Sequence, residues 1–273
     1  AQRLERGGIR LGDRVATLAW NTWRHVEAWY GITGIGAIYH TVNPRLFPDQ
    51  IAWILNHAGS RVLMLDLSFI PLIQQLAPKL EHVERFIILT DGAHLPETGL
   101  RNAVAYEDWL AEADGDFAWA SFDEKTAAGL CYTSGTTGDP KGVLYSHRSN
   151  ILHALACNQV DCLGLGVADR VMPVVPMFHA NGWSLPISAP MAGATLVLPG
   201  AKLDGASVHE IITEAQVNFS AAVPTVWMML LQHMEATSAR IDSLKRVVIG
   251  GSACPAAITP VSYTHLRAHE TKA

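Results

Sequence analysis

A run of ten residues at positions 133–142 combines the side chains and the backbone freedom that proteins use to grip phosphate groups. It reads Thr-Ser-Gly-Thr-Thr-Gly-Asp-Pro-Lys-Gly. Its glycines can take positive φ, so backbone N–H groups can converge on phosphate oxygens, and its hydroxyl groups add further donors. Lys141 supplies a mobile positive charge. The run therefore predicts a phosphate-binding loop. Its candidate contacts are Thr133, Ser134, Gly135, Thr136, Thr137, Gly138 and Lys141.

The neighbours of the lysine distinguish this loop from the phosphate loop of kinases and GTPases. That pattern needs glycine directly before the lysine and serine or threonine directly after it. Here Pro140 precedes Lys141 and Gly142 follows it. A P-loop kinase or GTPase is therefore disfavoured.

Two more segments hold residues that could contact a small ligand. The first, at 175–183, contains His179 and Trp183. Both residue types can also have a purely structural role, because they often lie in a protein core with their polar atoms hydrogen-bonded. The second is the turn Gly-Gly-Ser at 250–252, where backbone without side chains lets a planar base approach. An ordinary strand-ending turn is the alternative there.

Composition limits the class of protein. Of 273 residues, 49% are apolar and 16% are charged, which is enough to bury a substantial core. The net charge of −5 comes without long acidic or basic runs, so a small-molecule substrate is expected and nucleic acid is not. The four cysteines form no CxxC pair, which favours free thiols in the cytoplasm. No apolar run reaches the roughly 20 residues that span a bilayer, so no integral membrane segment is expected.

The elements that must position these residues alternate between strand and helix patterns. Short β-branched runs bounded by turn residues, such as 14–18 and 61–65, predict buried strands. Helical spacing follows them at 22–35 and 69–80. The alternation continues along the chain and predicts an α/β fold with mainly parallel, helix-covered sheets.

Two connections are also predicted. Residues 91–124, rich in Asp, Glu, Gly and Ala, are interpreted as a surface connection between two sheet-forming halves. The phosphate-binding loop is predicted to follow a strand and to precede a helix that begins near Ser146.

At residues 133–142 the chain resembles the adenylate-forming superfamily of acyl-CoA synthetases, luciferases and peptide-synthetase adenylation domains. The resemblance extends from Gly12 to about Ile258 and implies the large N-terminal domain of that superfamily. It implies that the loop holds the ATP triphosphate and that Thr133 also helps to hold Mg²⁺. It further implies that Lys141 screens phosphate charge as pyrophosphate departs.

The resemblance also assigns substrate contacts. The run at 175–183 resembles the family segment beside the acyl carboxylate, which implies that His179 orients this group. The segments at 224–227 and 250–253 resemble the elements that line the acyl and adenine pockets. They contribute Thr225 to the acyl pocket and Gly250, Gly251, Ser252 and Ala253 to the adenine pocket. The runs at 40–46, 178–183 and 196–200 resemble fatty-acyl-CoA synthetases, in which the tryptophan, here Trp183, gates the fatty-acid tunnel.

The implied activity is that of an acid–thiol ligase for medium- or long-chain fatty acids, which uses ATP, Mg²⁺ and CoA. The carboxylate attacks the α-phosphorus of ATP, giving acyl-adenylate and pyrophosphate, and the CoA thiol then displaces AMP. Three alternatives stay open: an aryl- or methylthio-alkanoate CoA ligase, a luciferase-like enzyme, and a non-catalytic nucleotide- or acyl-binding module. A homodimer is also left open.

Residues 1–260 are interpreted as an incomplete large N-terminal domain. The family's metal-binding glutamate, its hinge and its small C-terminal domain are not found in the sequence. Residues 261–273 lack an apolar period and are interpreted as a non-native tail. The chain as given is therefore expected to be catalytically inactive.

Overall fold

The computed structural model describes residues 1–133 and 139–253, which form two helix-covered sheets. The strands of the first sheet are β1 (Arg14–Leu18), β2 (Ile38–Thr41), β3 (Val62–Leu65), β4 (Arg85–Ile88), β5 (Ala103–Ala105), β6 (Ala127–Tyr132) and β7 (Gly142–Ser146). They lie in the order β5-β4-β3-β1-β2-β6-β7. Neighbours in this sheet are parallel, except that β7 pairs antiparallel with β6 and forms the sheet's edge.

The second sheet consists of four parallel strands in the order β11-β10-β8-β9. Its strands are β8 (Arg170–Pro173), β9 (Thr195–Leu196), β10 (Phe219–Ala222) and β11 (Arg246–Ile249). Because β10 and β11 are parallel neighbours, the residues that follow them emerge at the same edge of the sheet.

Helices connect most of these strands. They are α1 (Gln2–Arg6), α2 (Trp23–Thr33), α3 (Pro48–Ala58), α4 (Ile70–Leu76), α5 (Tyr106–Ala111), α6 (His147–Cys157), α7 (Leu185–Met191), α8 (Gly205–Glu214) and α9 (Pro224–Thr237). Local chemistry sets several of their ends. The Thr22 side chain accepts a hydrogen bond from the His25 amide at the start of α2, and Gly59 ends α3 with a φ of +60°.

The chain divides into two compact units, each with its own core. Among the described residues, the first unit comprises 1–133, 139–151 and 178–181, and the second comprises 152–177 and 182–253. In the first unit, one sheet face packs on α3 and α4, while the other meets α2, where Tyr39 and Trp29 stack 4.2 Å apart. In the second unit, α8 and α9 cover the sheet, and Trp227 of α9 is fully buried.

The predicted α/β fold with mainly parallel, helix-covered sheets is confirmed, but the interpretation of residues 91–124 is wrong. This stretch contains β5 and α5, and β5 pairs with β4 inside the first sheet. Strand β5 consists only of Ala-Val-Ala and lies among acidic and small residues, so its sequence is too short to predict a strand there. The first sheet also continues beyond this stretch, through β6 and β7.

Residues 261–273, interpreted from sequence as a tail, lie outside the described residues. Within the described ranges, no helix combines the length and apolar character needed to cross a membrane.

A fully buried histidine links α2 to the first sheet. His25 Nδ1 lies 2.9 Å from the Trp20 carbonyl oxygen, and its Nε2 lies 2.9 Å from Thr17 Oγ1. The Trp29 indole N–H donates to the same Nε2 at 3.1 Å. Burial lowers the pKa of His25 from 6.5 to about 4, so the imidazole is neutral at physiological pH.

We expect His25 to make stability pH-dependent. Because its folded-state pKa lies below the value in the unfolded chain, the unfolded state binds the proton more tightly, and stability falls as the pH drops from 6.5 toward 4. The loss should reach about 3 kcal/mol. Urea unfolding of the wild type and of His25→Gln at pH 7 and pH 4.5 measures it. The variant should lose less stability than the wild type across this interval. An equal loss in both proteins would contradict the assignment.

Candidate functional site

The two ends of the phosphate-binding loop meet at the open end of a β-hairpin. Strands β6 and β7 pair up to Tyr132 and Gly142, and the next residues outward are Thr133 and Lys141. The Thr133 amide donates to the Lys141 carbonyl oxygen at 2.9 Å. The Thr133 hydroxyl lies 3.4 Å from both the carbonyl oxygen and the amide nitrogen of Lys141. Backbone pairing thus holds the only two described contact candidates of the loop side by side.

Of the predicted loop contacts, Ser134, Gly135, Thr136, Thr137 and Gly138 lie outside the described residues. The loop follows a strand, as predicted, but it does not lead directly into a helix. Strand β7 intervenes, and α6 begins at His147, one residue after the predicted start. Strand β7 is largely exposed, unlike β1, β2 and β3, which are buried along most or all of their length, and this explains why it was missed.

Lys141 is exposed, and so is Thr133. An exposed ammonium group on a hairpin end keeps its rotational freedom, so it can follow the charge of a bound anion. The geometry therefore suits Lys141 to electrostatic work on a phosphate group.

His179, the residue predicted to orient the substrate carboxylate, directly follows the buried aromatic residue Phe178. Phe178 is 2% exposed, and its ring packs edge-on against Trp20 with 5.9 Å between centroids. His179 itself is exposed, and its imidazole has no hydrogen-bond partner within the described part of the chain. Phe178 fixes the backbone while the imidazole stays available to a ligand.

An unusual turn separates His179 from Trp183. Residues 180–184 all have φ between +45° and +63°, although only Gly182 among them is a glycine. For a residue other than glycine, this left-handed conformation costs about 1–2 kcal/mol. Asn181 is buried, and its Oδ1 accepts a hydrogen bond from the Thr41 hydroxyl at 3.5 Å. Backbone strain of this kind is found preferentially at functional sites, which makes residues 180–184 a candidate functional segment.

Trp183 lies against the glycine turn at the end of β11. A Cβ atom added to Gly250 would stand 2.8 Å from Trp183 Cη2, too close for any real contact. Gly251 has a φ of +83°, and a Cβ there would meet Val223 Cγ1 at 3.2 Å. The indole ring thus covers the backbone that was predicted to receive a planar base.

The other predicted pocket residues of the second unit are exposed. Thr225 lies in the first turn of α9, which starts directly after β10 at the same sheet edge as the glycine turn. Ser252 and Ala253 follow that turn and are also exposed. The structure therefore collects Trp183, Thr225 and residues 250–253 in the second unit, while Thr133, Lys141 and His179 belong to the first.

Sequence reasoning missed the residues that support the loop. Tyr132 directly precedes Thr133, is 8% exposed, and contacts His57 of α3. The position of Tyr132 beside the loop was the one signal that could have identified it. His57 is 75 residues away and carries no local signal.

Comparison with known families places the whole described region in one group. Residues 1–261 match the family described as AMP-binding enzyme. The chain is 46% identical over 248 residues to the 3-methylmercaptopropionyl-CoA ligase of Ruegeria pomeroyi, covering 91% of this chain and 46% of that protein. It is 45% identical over 258 residues to the medium-chain-fatty-acid–CoA ligase of Ectopseudomonas oleovorans, covering 94% and 47%. The chain thus spans about half the length of the curated relatives it matches.

Solved structures show the same architecture. The anthranilate CoA ligase AuaEII in complex with anthranoyl-AMP superposes with a TM-score of 0.85 at 25% identity, covering 98% of this chain and 51% of that one. The inhibitor-bound N-terminal domain of FACL13 from Mycobacterium tuberculosis gives a TM-score of 0.82 at 25% identity, covering 99% and 65%.

We expect Gly250→Ala to destabilise the second unit by about 1–3 kcal/mol, because the added methyl group overlaps the Trp183 ring. In a Trp183→Ala background the same substitution should cost less than half as much, because the obstructing ring is gone. Urea unfolding of the two single variants and the double variant measures both values.

Gly166→Ala is the matched control, since a Cβ at Gly166 meets nothing within 4 Å and the residue does not have positive φ. It should change stability little. Equal losses for the Gly250 and Gly166 variants would show that the Trp183 contact does not constrain the turn.

Proposed function

The chain belongs to the AMP-binding enzyme family, and on that premise we propose that it is part of an AMP-forming acyl-CoA ligase that activates a medium- or long-chain fatty acid. The observation that carries the proposal is the loop at 133–142, whose ends are joined by the Thr133–Lys141 hydrogen bond. Relatives named as medium-chain and long-chain fatty-acid–CoA ligases, at 45% and 47% identity, support the substrate class.

The chemistry begins with a carboxylate that is a poor acyl donor. One of its oxygens attacks the α-phosphorus of ATP, the bond to the β-phosphate oxygen breaks, and acyl-adenylate and pyrophosphate result. Lys141 would stabilise the negative charge that gathers on the departing phosphates, and the backbone N–H groups of the loop would act in the same way. CoA thiol then attacks the acyl carbon and AMP leaves. The protein's contribution is therefore mainly electrostatic and positional.

Mg²⁺ is part of the proposal. The exposed Thr133 hydroxyl offers one oxygen ligand, and hard cations such as Mg²⁺ prefer oxygen. Within residues 1–133 and 139–253, no group of three or more His, Cys, Asp or Glu side chains is placed to hold a metal ion. Thr133 would supply one ligand to a Mg²⁺ ion that takes its other ligands mainly from ATP phosphates and water, the usual arrangement for this ion. When bound, the ion would neutralise phosphate charge.

The remaining site residues are proposed to contact the acyl substrate and the adenine base. His179 would orient the carboxylate, Thr225 would border the acyl chain, and residues 250–253 would contact adenine. Trp183 packs against Gly250 on the side where a Cβ would lie, next to the turn proposed to contact adenine. This contact supports the predicted gating role of Trp183, which stays a prediction.

A second substrate class has its own support. The relative from Ruegeria pomeroyi, at 46% identity, is named as a ligase for 3-methylmercaptopropionate, a short thioether acid. A methylthio-alkanoate ligase is therefore the second candidate. A cytoplasmic location belongs to the proposal and is supported by the free thiols of Cys131, Cys157 and Cys162. A homodimer stays a prediction.

The substrate class is tested by ATP–pyrophosphate exchange in a full-length protein that contains this chain. The assay uses fatty acids from C4 to C16, 3-(methylthio)propionate and benzoate as acids. Highest exchange with C6 to C16 acids supports the proposal, whereas highest exchange with the thioether acid or benzoate selects the alternative ligases. Nucleotide binding without exchange with any acid would support a non-catalytic binding module and refute the ligase.

We expect Lys141→Ala to weaken MgATP binding about ten- to a hundredfold, which is the effect of losing one charge-assisted contact. Stability should change little, because the side chain is exposed. Isothermal titration calorimetry gives the affinity, and circular dichroism confirms the fold. Lys125→Ala is the control, since Lys125 is an exposed lysine just before the same hairpin. Equal affinities for both variants would remove Lys141 from the site.

A further inference from the structure

The residue that leads into the phosphate-binding loop is held by a hydrogen bond to a distant helix. Tyr132 ends β6, and its hydroxyl lies 2.7 Å from Nδ1 of His57 in α3. Burial raises the pKa of Tyr132, so the phenol stays protonated at neutral pH and can take part as donor or acceptor. This short hydrogen bond joins the hairpin to the helix layer of the first unit.

Aromatic rings fix both partners of this hydrogen bond. His57 stacks on Trp53 of the same helix, with 4.5 Å between ring centroids and 14° between planes. The Tyr132 ring stands edge-on to Trp53 at 6.3 Å and to His57 at 5.9 Å, and tilts against His40 at 5.2 Å. Such contacts hold each ring in one orientation. The Tyr132 hydroxyl and His57 Nδ1 are therefore already placed to form their hydrogen bond.

The Tyr132 ring also contacts the other end of the loop. Tyr132 pairs with Gly142 across the hairpin, and a Cβ at Gly142 would stand 3.3 Å from Tyr132 Cζ. The backbone of Gly142 therefore lies directly on this ring. Since Thr133 follows Tyr132 and Lys141 precedes Gly142, the Tyr132 ring, together with Leu130 Cδ1 at 3.1 Å from the same Cβ position, supports the backbone next to both described loop contacts.

We propose that Tyr132 and His57 are positioning residues for nucleotide binding: their hydrogen bond fixes the ring on which the Thr133 and Lys141 ends of the loop rest. The nucleotide part rests on the proposed function, whereas the structural part does not. Neither Tyr132 nor His57 is proposed to contact the phosphates. Both act through Thr133 and Lys141, by keeping the loop ends in the paired arrangement before ATP arrives.

A purely structural role is the competing explanation, and it predicts a different pattern. Loss of general stability would speed hydrogen exchange throughout the first unit. Loss of positioning would act at the loop ends and spare the central strands. The amides of Thr133 and Lys141 report on loss of positioning, and the amides of Val15 and Leu63 in β1 and β3 report on loss of general stability.

The experiment compares four single variants and one double variant of the 273-residue chain with the wild type. Tyr132→Phe removes the hydroxyl, and His57→Phe removes Nδ1 while keeping an aromatic ring on Trp53. His57→Asn places a hydrogen-bonding group near the former Nδ1 position and serves as the conservative rescue. His82→Gln is the matched control, because His82 lines the same cavity of about 510 Å³ as His57 and leaves the Tyr132 hydrogen bond in place.

We expect the Thr133 and Lys141 amides to exchange about three- to tenfold faster in Tyr132→Phe and His57→Phe, as loss of one net hydrogen bond implies. The β1 and β3 amides should keep their wild-type rates. His57→Asn should restore at least half of the protection, and His82→Gln should match the wild type. The Tyr132→Phe/His57→Phe double variant should be no faster than either single variant, because both remove the same hydrogen bond.

Calorimetry with MgATP separates the two proposals. If the wild type binds, the Phe variants should bind about three- to tenfold more weakly and His57→Asn should recover affinity. If a full-length protein that contains this chain does not bind MgATP, the proposed function fails, while the exchange rates still decide the positioning role. Unchanged exchange at Thr133 and Lys141 in both Phe variants, or equal acceleration in β1 and β3, would overturn it.

Discussion

The antiparallel pairing of β6 with β7 is the interaction on which the rest of the candidate site depends. Every other neighbouring pair in the two described sheets is parallel, so this hairpin is the one place where the chain returns directly beside itself. The return places Thr133 against Lys141 and closes the two ends of a glycine- and hydroxyl-rich run. Without that closure, Thr133 and Lys141 would not be held side by side before a phosphate binds.

The buried layers around the hairpin explain why it holds its position. Strand β6 is paired on its inner side with β2, and its side chains enter the core that α3 and α4 cover. The outer strand β7 has only one partner and is largely exposed, so its placement relies on β6. Tyr132 connects the two strands to α3 through His57, which ties an edge of the sheet to its helix layer.

Much of this architecture follows from local sequence, and the exceptions have physical causes. Strand β1 and the phosphate-binding run were predictable because each is defined by neighbouring residues. Strand β2, Ile-Tyr-His-Thr, is not among the strands predicted, because its polar residues are buried and depend on tertiary contacts, such as the hydrogen bond of 2.9 Å between His40 Nδ1 and Ser60 Oγ. The left-handed turn at 180–184 contains one glycine, so local preference argues against the conformation that it adopts. The His57–Tyr132 contact spans 75 residues, which no local pattern encodes.

We propose that the hairpin end formed by Thr133 and Lys141 receives the phosphates of ATP. Two-dimensional amide NMR of the 273-residue chain, titrated with MgATP and separately with MgAMP, tests this binding site. Phosphate binding at the hairpin end should give saturable shifts of the Thr133 and Lys141 amides with MgATP and clearly smaller shifts with MgAMP, which lacks the β- and γ-phosphates. Unmoved Thr133 and Lys141 amides at saturating MgATP would contradict it, as would equal shifts with both nucleotides.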